Sequence, residues 1–400
     1  MLQQVDPSSR EFVQPDGTIL VEIQKSLYGL PEAAQLWYEY LSGALRNGGY
    51  RECPYDPCLF MRATSGGSVS IVAIYVDDCL HVYSSEATRN QLYDSLRKSN
   101  LKDLKIEQLT PRTPISFLGL HIVKTGPGVV KINQRGYLKS VLEEYREDFA
   151  DFPMNHAATP CGDDIFRPTY SGEDAEPADT TAFLSKLMKI RYLVRTRPDI
   201  DLACSGLCTR SRAPQKGDAK ALNRLLAYLA MNRDLGITIR ETDLQLNAMF
   251  DAGFGTHLDR KSHNGHLVFL GTGVNKVPIH WRSSKQKVVA TSSTEAELIC
   301  VFDGLDFLIW IRRVMEFLKC SQRQITIWQD NTSTITMAFM GRGSSSSNTR
   351  HIDIKYFFIE DGTFVIDHMG RENMLGDFFA SPRTGQGFRR VRALVMQPEQ

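Results

Sequence analysis

The spacing of apolar residues along this chain changes several times, and each change predicts a new element. Residues 71–82 consist of a β-branched apolar run, two aspartates and a second apolar run, which predicts a tight β-hairpin that carries Asp77 and Asp78 at its turn. Residues 33–46 repeat apolar side chains at helical spacing and follow Pro31, a favourable residue at a helix start. We therefore expect a small antiparallel sheet backed by this helix.

The middle of the chain mixes strands with helices. Strands are predicted at 115–122 and 129–132, and helices at 86–99 and 137–145. Residues 155–179 are rich in Pro, Asp and Gly and have no period, so we expect a linker loop there. Three further helices are predicted at 183–194, 198–210 and 216–232.

From Leu244 onward the pattern is that of strands separated by long helices. The order is strand, strand, strand, helix, strand, helix, strand, helix, and the first of these helices ends near Leu318. We expect a chain of the α+β / α/β class: an antiparallel sheet with helices, a helical connection, and a mixed five-stranded sheet with helices. The five strands are predicted at 245–250, 265–270, 277–282, 325–331 and 364–366.

Composition and charge limit the classes of protein to which this chain can belong. The 400 residues are 42% hydrophobic and 23% charged, as in an ordinary globular chain of two or three domains. The net charge of +1 gives no global basic signal, so any nucleic-acid binding must use local patches. No apolar run of about 18 residues occurs, and no membrane partner is expected. The eight cysteines lack a convincing metal-site spacing and are expected to be free thiols.

Asp77 and Asp78 are the first candidate metal ligands. Adjacent carboxylates repel each other, and the usual reason to keep them together is a divalent cation, most often Mg²⁺ bound through carboxylates and substrate phosphates. A solvated Asp-Asp turn is an equally good interpretation of these two residues taken alone.

A second group of acids lies at the ends of predicted elements. Asp251 and Asp330 end strands, Glu297 lies near the start of the long helix, and Asp377 lies near the start of a later one. Their order suggests a shared metal site. Turn formation by the strand-end aspartates and helix-dipole roles for the other two acids are the alternatives.

Two neighbouring glutamates of the long helix have different predicted roles. Ser292 and Glu295 have the spacing of a capping box, so Glu295 is expected to reach back to the backbone N–H of the cap. Glu297 lies two positions further, roughly 200° around the helix, and cannot face the same metal as Glu295. Glu297 is therefore the predicted ligand.

The hairpin motif Tyr75-Val76-Asp77-Asp78, with Ser26-Leu27-Tyr28-Gly29-Leu30 and Trp37-Tyr38 upstream, resembles the reverse transcriptase of copia-type LTR retrotransposons. Residues 187–200 resemble the thumb-and-connection region of that polymerase. The resemblance implies a polymerase palm in which Asp77 and Asp78 are catalytic metal ligands. The family's third catalytic aspartate has no counterpart here, so Met1 is expected to follow that motif. Polymerisation would then be lost or would need the upstream Pol segments as partners.

Ser292-Ser293-Thr294-Glu295-Ala296-Glu297 and Arg350-His351-Ile352-Asp353-Ile354-Lys355-Tyr356 resemble the ribonuclease H of the same family. The resemblance implies an RNA–DNA hybrid as substrate and two Mg²⁺ (or Mn²⁺) ions as cofactors. It implies that His368, in a loop, assists proton transfer or product release, although a lone loop histidine is often incidental. The implied metal ligands are Asp251, Glu297, Asp330 and Asp377.

Local positive charge marks the candidate nucleic-acid contacts. The resemblance places the basic helical block near the phosphates of a template–primer duplex, which charge alone can contact; a solvated basic face is the alternative. The candidate residues are Lys189, Arg191, Arg195, Arg197, Arg260, Lys261, Arg350 and His351.

The expected division is a truncated reverse transcriptase palm and thumb region at 1–152, a linker and helical connection at 153–242, a ribonuclease H-like domain at 243–385 and a solvated tail at 386–400. The expected function is that of a polymerase fragment fused to a nuclease that hydrolyses RNA in hybrids by two-metal phosphoryl transfer. The alternative is a non-catalytic nucleic-acid-binding remnant of a decayed element, or an incomplete gene prediction. The expected location is the cytoplasm, in a virus-like particle, or the nucleus.

Overall fold

The computed structural model describes residues 11–19, 29–64, 66–101, 104–153, 156–273, 275–340 and 362–396. The chain divides into two compact units between Lys105 and Ile106. Arg350, His351 and most of the motif at 26–30 lie outside the described residues. Within the described part, no helix combines the length and apolarity needed to cross a membrane.

The first unit is a four-stranded antiparallel sheet with two helices. The strand order is β1-β2-β3-β4, and every neighbouring pair is antiparallel. Leu41 and Leu45 from the first helix and Leu92 from the second pack against Phe60 and Val72 of the sheet. The elements are α1 (Ala33–Asn47), β1 (Arg51–Cys53), β2 (Asp56–Ala63), β3 (Val69–Tyr75), β4 (Asp78–Tyr83) and α2 (Glu86–Lys98).

The predicted hairpin is confirmed by the pairing of β3 with β4. Tyr75 pairs with Asp78, so Val76 and Asp77 form the two-residue turn and Asp78 begins β4. Val76 has a φ of 54°, an unusual value for a β-branched residue. Trp37 Nε1 donates a hydrogen bond of 2.7 Å to the Val76 carbonyl oxygen, so helix α1 holds the turn in place.

The second unit contains two sheets. An antiparallel sheet of order β5-β6-β7-β8 is formed by β5 (Ile115–Phe117), β6 (Leu120–Gly126), β7 (Val129–Asn133) and β8 (Ile237–Ile239). A mixed five-stranded sheet of order β11-β10-β9-β12-β13 is formed by β9 (Leu246–Gly253), β10 (His263–Leu270), β11 (Val277–Lys285), β12 (Ile325–Gln329) and β13 (Phe364–His368). In the mixed sheet β9 to β11 are antiparallel, whereas β12 is parallel to both β9 and β13. The predicted α+β / α/β class is confirmed.

The helices of the second unit cover both faces of the mixed sheet. Alternate residues of β9 face opposite ways: Phe250 packs with the long helix α8, and Met249 packs with the preceding helical block. The helices are α3 (Arg135–Glu144), α4 (Arg146–Phe149), α5 (Thr180–Tyr192), α6 (Asp201–Cys208), α7 (Lys216–Met231), α8 (Ser293–Phe317), α9 (Thr332–Met340), α10 (Asp377–Ala380) and α11 (Gly385–Met396).

Of two predictions about irregular segments, one holds in part and the other is wrong. The predicted loop at 155–179 contains only short 3₁₀ turns in its described residues, but it also contributes Cys161, Ile165 and Phe166 to the core shared by the helical block and the mixed sheet. The predicted solvated tail is helix α11, which buries Phe388 and Val391 in the same core. In both segments a few apolar side chains complete a surface that other elements leave open, and a single-segment period does not reveal this.

Candidate metal centre

Three of the predicted ligands come together at one end of the mixed sheet. Asp251, Glu297 and Asp330 each offer a carboxylate oxygen, and these oxygens all lie within 4.8 Å of one another. Parallel pairing sets Met249 of β9 opposite Trp328 of β12. Asp251 and Asp330 each follow that pair by two residues, so the register itself places the two aspartates side by side.

Helix α8 delivers the third carboxylate. Ser292 caps the helix: its hydroxyl accepts a hydrogen bond of 3.1 Å from the Glu295 N–H. The Glu295 carboxylate accepts from the Thr291 N–H at 2.6 Å, one residue before the expected cap N–H. Glu297, 6% exposed, is the glutamate that enters the acidic cluster.

Close packing between α8 and β9 holds Glu297 near Asp251. A Cβ on Gly304 of α8 would lie 2.4 Å from the Phe250 ring, so a larger residue there would push the helix off the strand. The Cys300 thiol lies 3.1 Å from the Asp251 carbonyl oxygen. The Ala252 N–H donates to the Glu297 carboxylate. The helix is thus fixed to the strand at the position of both ligands.

Burial and mutual repulsion disfavour the charged forms of these acids. Burial, reinforced by Asp377 and Asp330, raises the pKa of Asp251 to about 8. Burial, reinforced by Asp251 and Asp330, raises the pKa of Glu297 to about 9. A cluster of buried carboxylates needs protons or a cation, and an all-oxygen donor set suits a hard divalent ion such as Mg²⁺ or Mn²⁺. The residues present therefore fit a divalent metal.

Gln329 is a member of the site that the sequence analysis missed. It is fully buried at the end of β12; its Nε2 donates to the Glu297 carboxylate at 3.2 Å, and its Oε1 accepts from the Asp330 N–H at 2.9 Å. An amide is not a charged candidate ligand and so carried no chemical signal. Its position immediately before Asp330 was the one available clue.

Asp377 lies beside the cluster but outside the group of three. The Cβ that Gly376 lacks would lie 2.9 Å from the Met249 carbonyl oxygen and 3.3 Å from the Asp251 nitrogen, so this backbone lies directly on β9. Asp377 is near enough to raise the pKa of Asp251. Its carboxylate is paired with Arg383, whose Nε lies 3.1 Å from Oδ2.

His368 is exposed at the end of β13, not in a loop as expected. It pairs in the sheet with Gln329, and its N–H donates to the Asp367 carboxylate at 2.7 Å. The parallel pairing of β12 with β13 therefore brings this histidine to the end of the sheet that carries Asp330.

Asp77 and Asp78 occupy the exposed end of their hairpin in the first unit. Among the described residues, no third acid, cysteine or histidine joins them to form a cluster of metal-binding dimensions. The structure thus places the pair where it was predicted, without a third ligand in the described part of the chain.

The predicted nucleic-acid contacts differ in their accessibility. Arg195 is exposed and lies over the Tyr192 ring at 4.5 Å. Lys189 is paired with Glu144, and Arg191 lies 3.9 Å from Asp201. Arg260 is exposed and Lys261 is half-buried in the turn before β10. Arg350 and His351 lie outside the described residues.

The prediction for Arg197 is wrong. Its side chain is 2% exposed and binds both carboxylate oxygens of Asp199, at 2.8 and 2.7 Å. Tyr228 donates to the same carboxylate at 2.5 Å, and Arg392 of helix α11 lies 2.9 Å from the Tyr228 hydroxyl. Arg197 is therefore part of a buried polar network and cannot contact a phosphate.

Comparison with known proteins identifies relatives of the chain. Residues 7–160 match the family described as reverse transcriptase (RNA-dependent DNA polymerase). The Pol polyprotein of transposon RE1 from Arabidopsis thaliana is 29% identical over 96% of this chain and 26% of its own length. That of transposon TNT 1-94 from Nicotiana tabacum is 28% identical over 86% of this chain and 25% of its own length. The chain thus spans about a quarter of these relatives.

A shorter relative and two solved structures complete the comparison. A putative transposon Ty5-1 protein of Saccharomyces cerevisiae is 29% identical over 70% of this chain and 86% of its own length. A foamy viral protease-reverse transcriptase in complex with dsDNA is 13% identical, covers 86% of this chain and 60% of its own, and has a TM-score of 0.49. The LC11 ribonuclease H1 in complex with an RNA/DNA hybrid is 14% identical over 32% of this chain and 88% of its own, with a TM-score of 0.25. Both scores are too low to carry an argument. The sequence matches lead to one conclusion: the chain is similar over most of its length to the Pol polyproteins of these plant transposons, and its residues 7–160 match the reverse transcriptase family.

Proposed function

We propose that the mixed sheet and its helices form a metal-dependent nuclease of the ribonuclease H type, which hydrolyses the RNA strand of RNA–DNA hybrids. The observation that carries this proposal is the meeting of Asp251, Glu297 and Asp330 from three separate elements within 4.8 Å. Phosphoryl transfer needs little covalent participation by the protein, so a preorganised set of metal-holding acids is most of what the reaction requires.

The proposed ligands are Asp251, Glu297 and Asp330, with Asp377 joining them once its pair with Arg383 opens. Bound Mg²⁺ or Mn²⁺ would activate the attacking water and stabilise the leaving oxygen. Gln329 and the Ala252 N–H orient the Glu297 carboxylate. Exposed Arg371, whose Nε lies 3.9 Å from Asp330 Oδ2, supplies positive charge for the phosphate backbone of a bound hybrid.

The first unit fits the palm of a polymerase. Asp77 and Asp78 would hold the metal ions of the incoming nucleotide at the exposed end of the hairpin. The proposed partners are nucleic acids: a template–primer for the palm and an RNA–DNA hybrid for the nuclease.

Cleavage of a labelled hybrid by the full chain tests the proposal. We expect RNA cleavage with Mg²⁺ or Mn²⁺, none with EDTA, and little attack on single-stranded RNA. Glu297→Gln should reduce cleavage to background because it removes one charge from the metal-holding set. Glu295→Gln is the matched control: the side-chain oxygen of glutamine can still accept from the Thr291 N–H, so activity should stay near wild type.

His368→Ala should slow turnover without abolishing it. If Glu295→Gln abolished cleavage while Glu297→Gln did not, the ligand assignment would be wrong. If the wild-type chain bound the hybrid but cleaved it no faster than Glu297→Gln, the chain would be the non-catalytic binding remnant.

A further inference from the structure

We infer that Ser283 and Gln286, on and just after strand β11, are positioning residues that set the helices carrying Asp377 and Glu297. This inference rests on the proposed nuclease function. Strand β11 carries none of the proposed ligands and is separated from β9 by β10. The buried side chains of Ser283 and Gln286 nevertheless bond to both of these helices, Ser283 to α10 and Gln286 to α8.

Ser283 joins three elements through its backbone and hydroxyl. Its N–H donates to Asp201 of helix α6 at 2.8 Å. Its Oγ lies 2.7 Å from the Phe379 carbonyl oxygen of helix α10 and 2.7 Å from His263 Nε2 of β10. A carbonyl oxygen can only accept, so the single hydroxyl proton of Ser283 points to Phe379.

The direction of the Ser283 hydroxyl proton determines the tautomers of His263 and His257. Because the Ser283 hydroxyl is already donating, His263 Nε2 must be the donor to it, and His263 Nδ1 is left as an acceptor in the neutral ring. His257 Nε2 lies 2.9 Å from that Nδ1 and therefore donates. Burial lowers the pKa of both histidines, which keeps the rings neutral. The chain His257–His263–Ser283 thus has one consistent polarity, and it ends at Phe379.

The bond to Phe379 is important because helix α10, which contains Phe379, is too short to be stable without packing partners. The helix has four residues and begins with Asp377. An isolated turn of this length is unstable, so its position is set by what it packs against. A Cβ on Gly265 would lie 2.4 Å from the Gly376 carbonyl oxygen and 2.6 Å from the Ala380 nitrogen, so the turn rests directly on β10. The bond from Ser283 fixes this turn along the sheet.

Gln286 fixes the start of helix α8 through hydrogen bonds of its side-chain amide. Its Nε2 donates to the Ala296 carbonyl oxygen at 2.8 Å and to Asn264 Oδ1 at 2.6 Å. Ala296 directly precedes Glu297. The Asn264 amide in turn donates to Asp303, two turns further along α8, at 3.0 Å. Gln286 is 2% exposed, so water does not compete for these bonds.

The resulting division of roles is specific. The register of β9 and β12 places Asp251 and Asp330 side by side. Asp377 and Glu297 lie on helices, and Ser283 and Gln286 help to set the distance of these two ligands from the aspartates. Groups that orient metal ligands in this way are typically worth about 10–100-fold in metal affinity or activity when removed.

The test compares Ser283→Ala and Ser283→Thr with Ser284→Ala in the full chain. Ser284 is the matched control, because it is the next residue of the same strand and points to the other face. Three quantities are measured for each variant: kcat and KM on the hybrid, Mn²⁺ affinity by calorimetry, and amide hydrogen exchange of residues 376–381 without metal.

We expect Ser283→Ala to lower kcat about 10-fold with little change in KM, to weaken Mn²⁺ binding, and to speed exchange in 376–381. Ser283→Thr keeps the hydroxyl and should recover most of the loss. Ser284→Ala should match wild type. Gln286→Met, which keeps the volume but not the amide, should speed exchange near the start of α8 instead, and its effect on kcat should multiply with that of Ser283→Ala.

Each result is decisive. Faster exchange at 376–381 together with weaker Mn²⁺ binding in Ser283→Ala supports the inference even if the wild-type chain does not cleave hybrids, an outcome that would overturn the proposed function only. Unchanged exchange and unchanged Mn²⁺ affinity in Ser283→Ala would overturn the inference, whatever the activity. A loss of thermal stability with wild-type kcat, KM and Mn²⁺ affinity would show a merely structural role and would also overturn it.

Discussion

Gln329 Nε2 lies 3.2 Å from Glu297 Oε2, while Oε1 of the same side chain accepts the Asp330 N–H at 2.9 Å. One neutral amide therefore ties the helix-borne ligand to the strand-borne ligand. Because Gln329 is fully buried, both bonds exist without competition from water.

Gln329→Met should retain the fold and lower cleavage of a hybrid by about 10–100-fold, because the change keeps the volume but releases Glu297. The affinity of this variant for Mn²⁺ should fall as well. Steady-state kinetics and calorimetry measure the two effects. Gln329→Glu is the informative partner: it adds a further charge to the buried acids and should lower the melting temperature in EDTA. Wild-type kinetics in Gln329→Met would remove Gln329 from the site.

The metal-free protein should become less stable as the pH rises. Asp251 and Glu297 have pKa values of about 8 and 9 in the folded chain, against roughly 3.9 and 4.3 when unfolded. Between these limits the unfolded chain binds fewer protons than the folded one, so the free energy of unfolding falls with pH. The melting temperature in EDTA should therefore drop from pH 5 to pH 8. Added Mg²⁺ should raise the melting temperature more at pH 8 than at pH 5.

Glu297→Gln provides the control for this pH dependence. The variant removes one of the two shifted groups and relieves repulsion on the other, so its melting temperature in EDTA should depend less on pH. The melting temperature of the variant at pH 8 should also be higher than that of the wild type, even though the variant is expected not to cleave hybrids. Identical slopes for the two proteins would show that the buried acids do not control the dependence.

Arg197→Ala should destabilise the second unit by about 3–5 kcal/mol, because it leaves the Asp199 carboxylate buried without its cation. Urea unfolding measures this loss. The exposed Arg195 lies only 4.5 Å from the Tyr192 ring centroid, and Arg195→Ala should cost about 0.5–1 kcal/mol. Hybrid binding should show the reverse order: Arg195→Ala weakens it, whereas Arg197→Lys leaves it unchanged. A strong binding defect in a folded Arg197→Lys variant would contradict the buried role.

Val76→Asn should stabilise the hairpin by about 1 kcal/mol, because asparagine tolerates a φ of 54° better than a β-branched residue does. Slower amide hydrogen exchange in residues 71–82 measures this gain. Val82→Asn is the matched control: the two valines are 55% and 56% exposed, but Val82 lies in regular strand. There the same change should destabilise, since valine favours strands. Equal effects at both positions would contradict strain at Val76.

Local patterns in the sequence predicted the elements and their order. Continuous β-branched apolar runs marked the hairpin, and short apolar runs marked the strands of the mixed sheet, because such residues favour strands. Helical phase separated Glu295 from Glu297, since two positions on a helix differ by roughly 200°. Strand ends marked Asp251 and Asp330. These features depend on neighbours in the chain, and a sequence contains such information directly.

Contacts between distant segments were decided by the tertiary structure. The basic run at 187–200 did not show that Arg197 turns inward to Asp199, because burial depends on Tyr228 and Arg392, which lie far along the chain. The same holds for Gln329, a neutral side chain whose role arises from the position of Glu297. The residues of helix α11 predict a solvated tail when considered alone, because its few apolar residues acquire a partner surface only once the helical block has packed. The sequence determined which groups were available, and packing decided which of them face the acidic cluster, the core or the solvent.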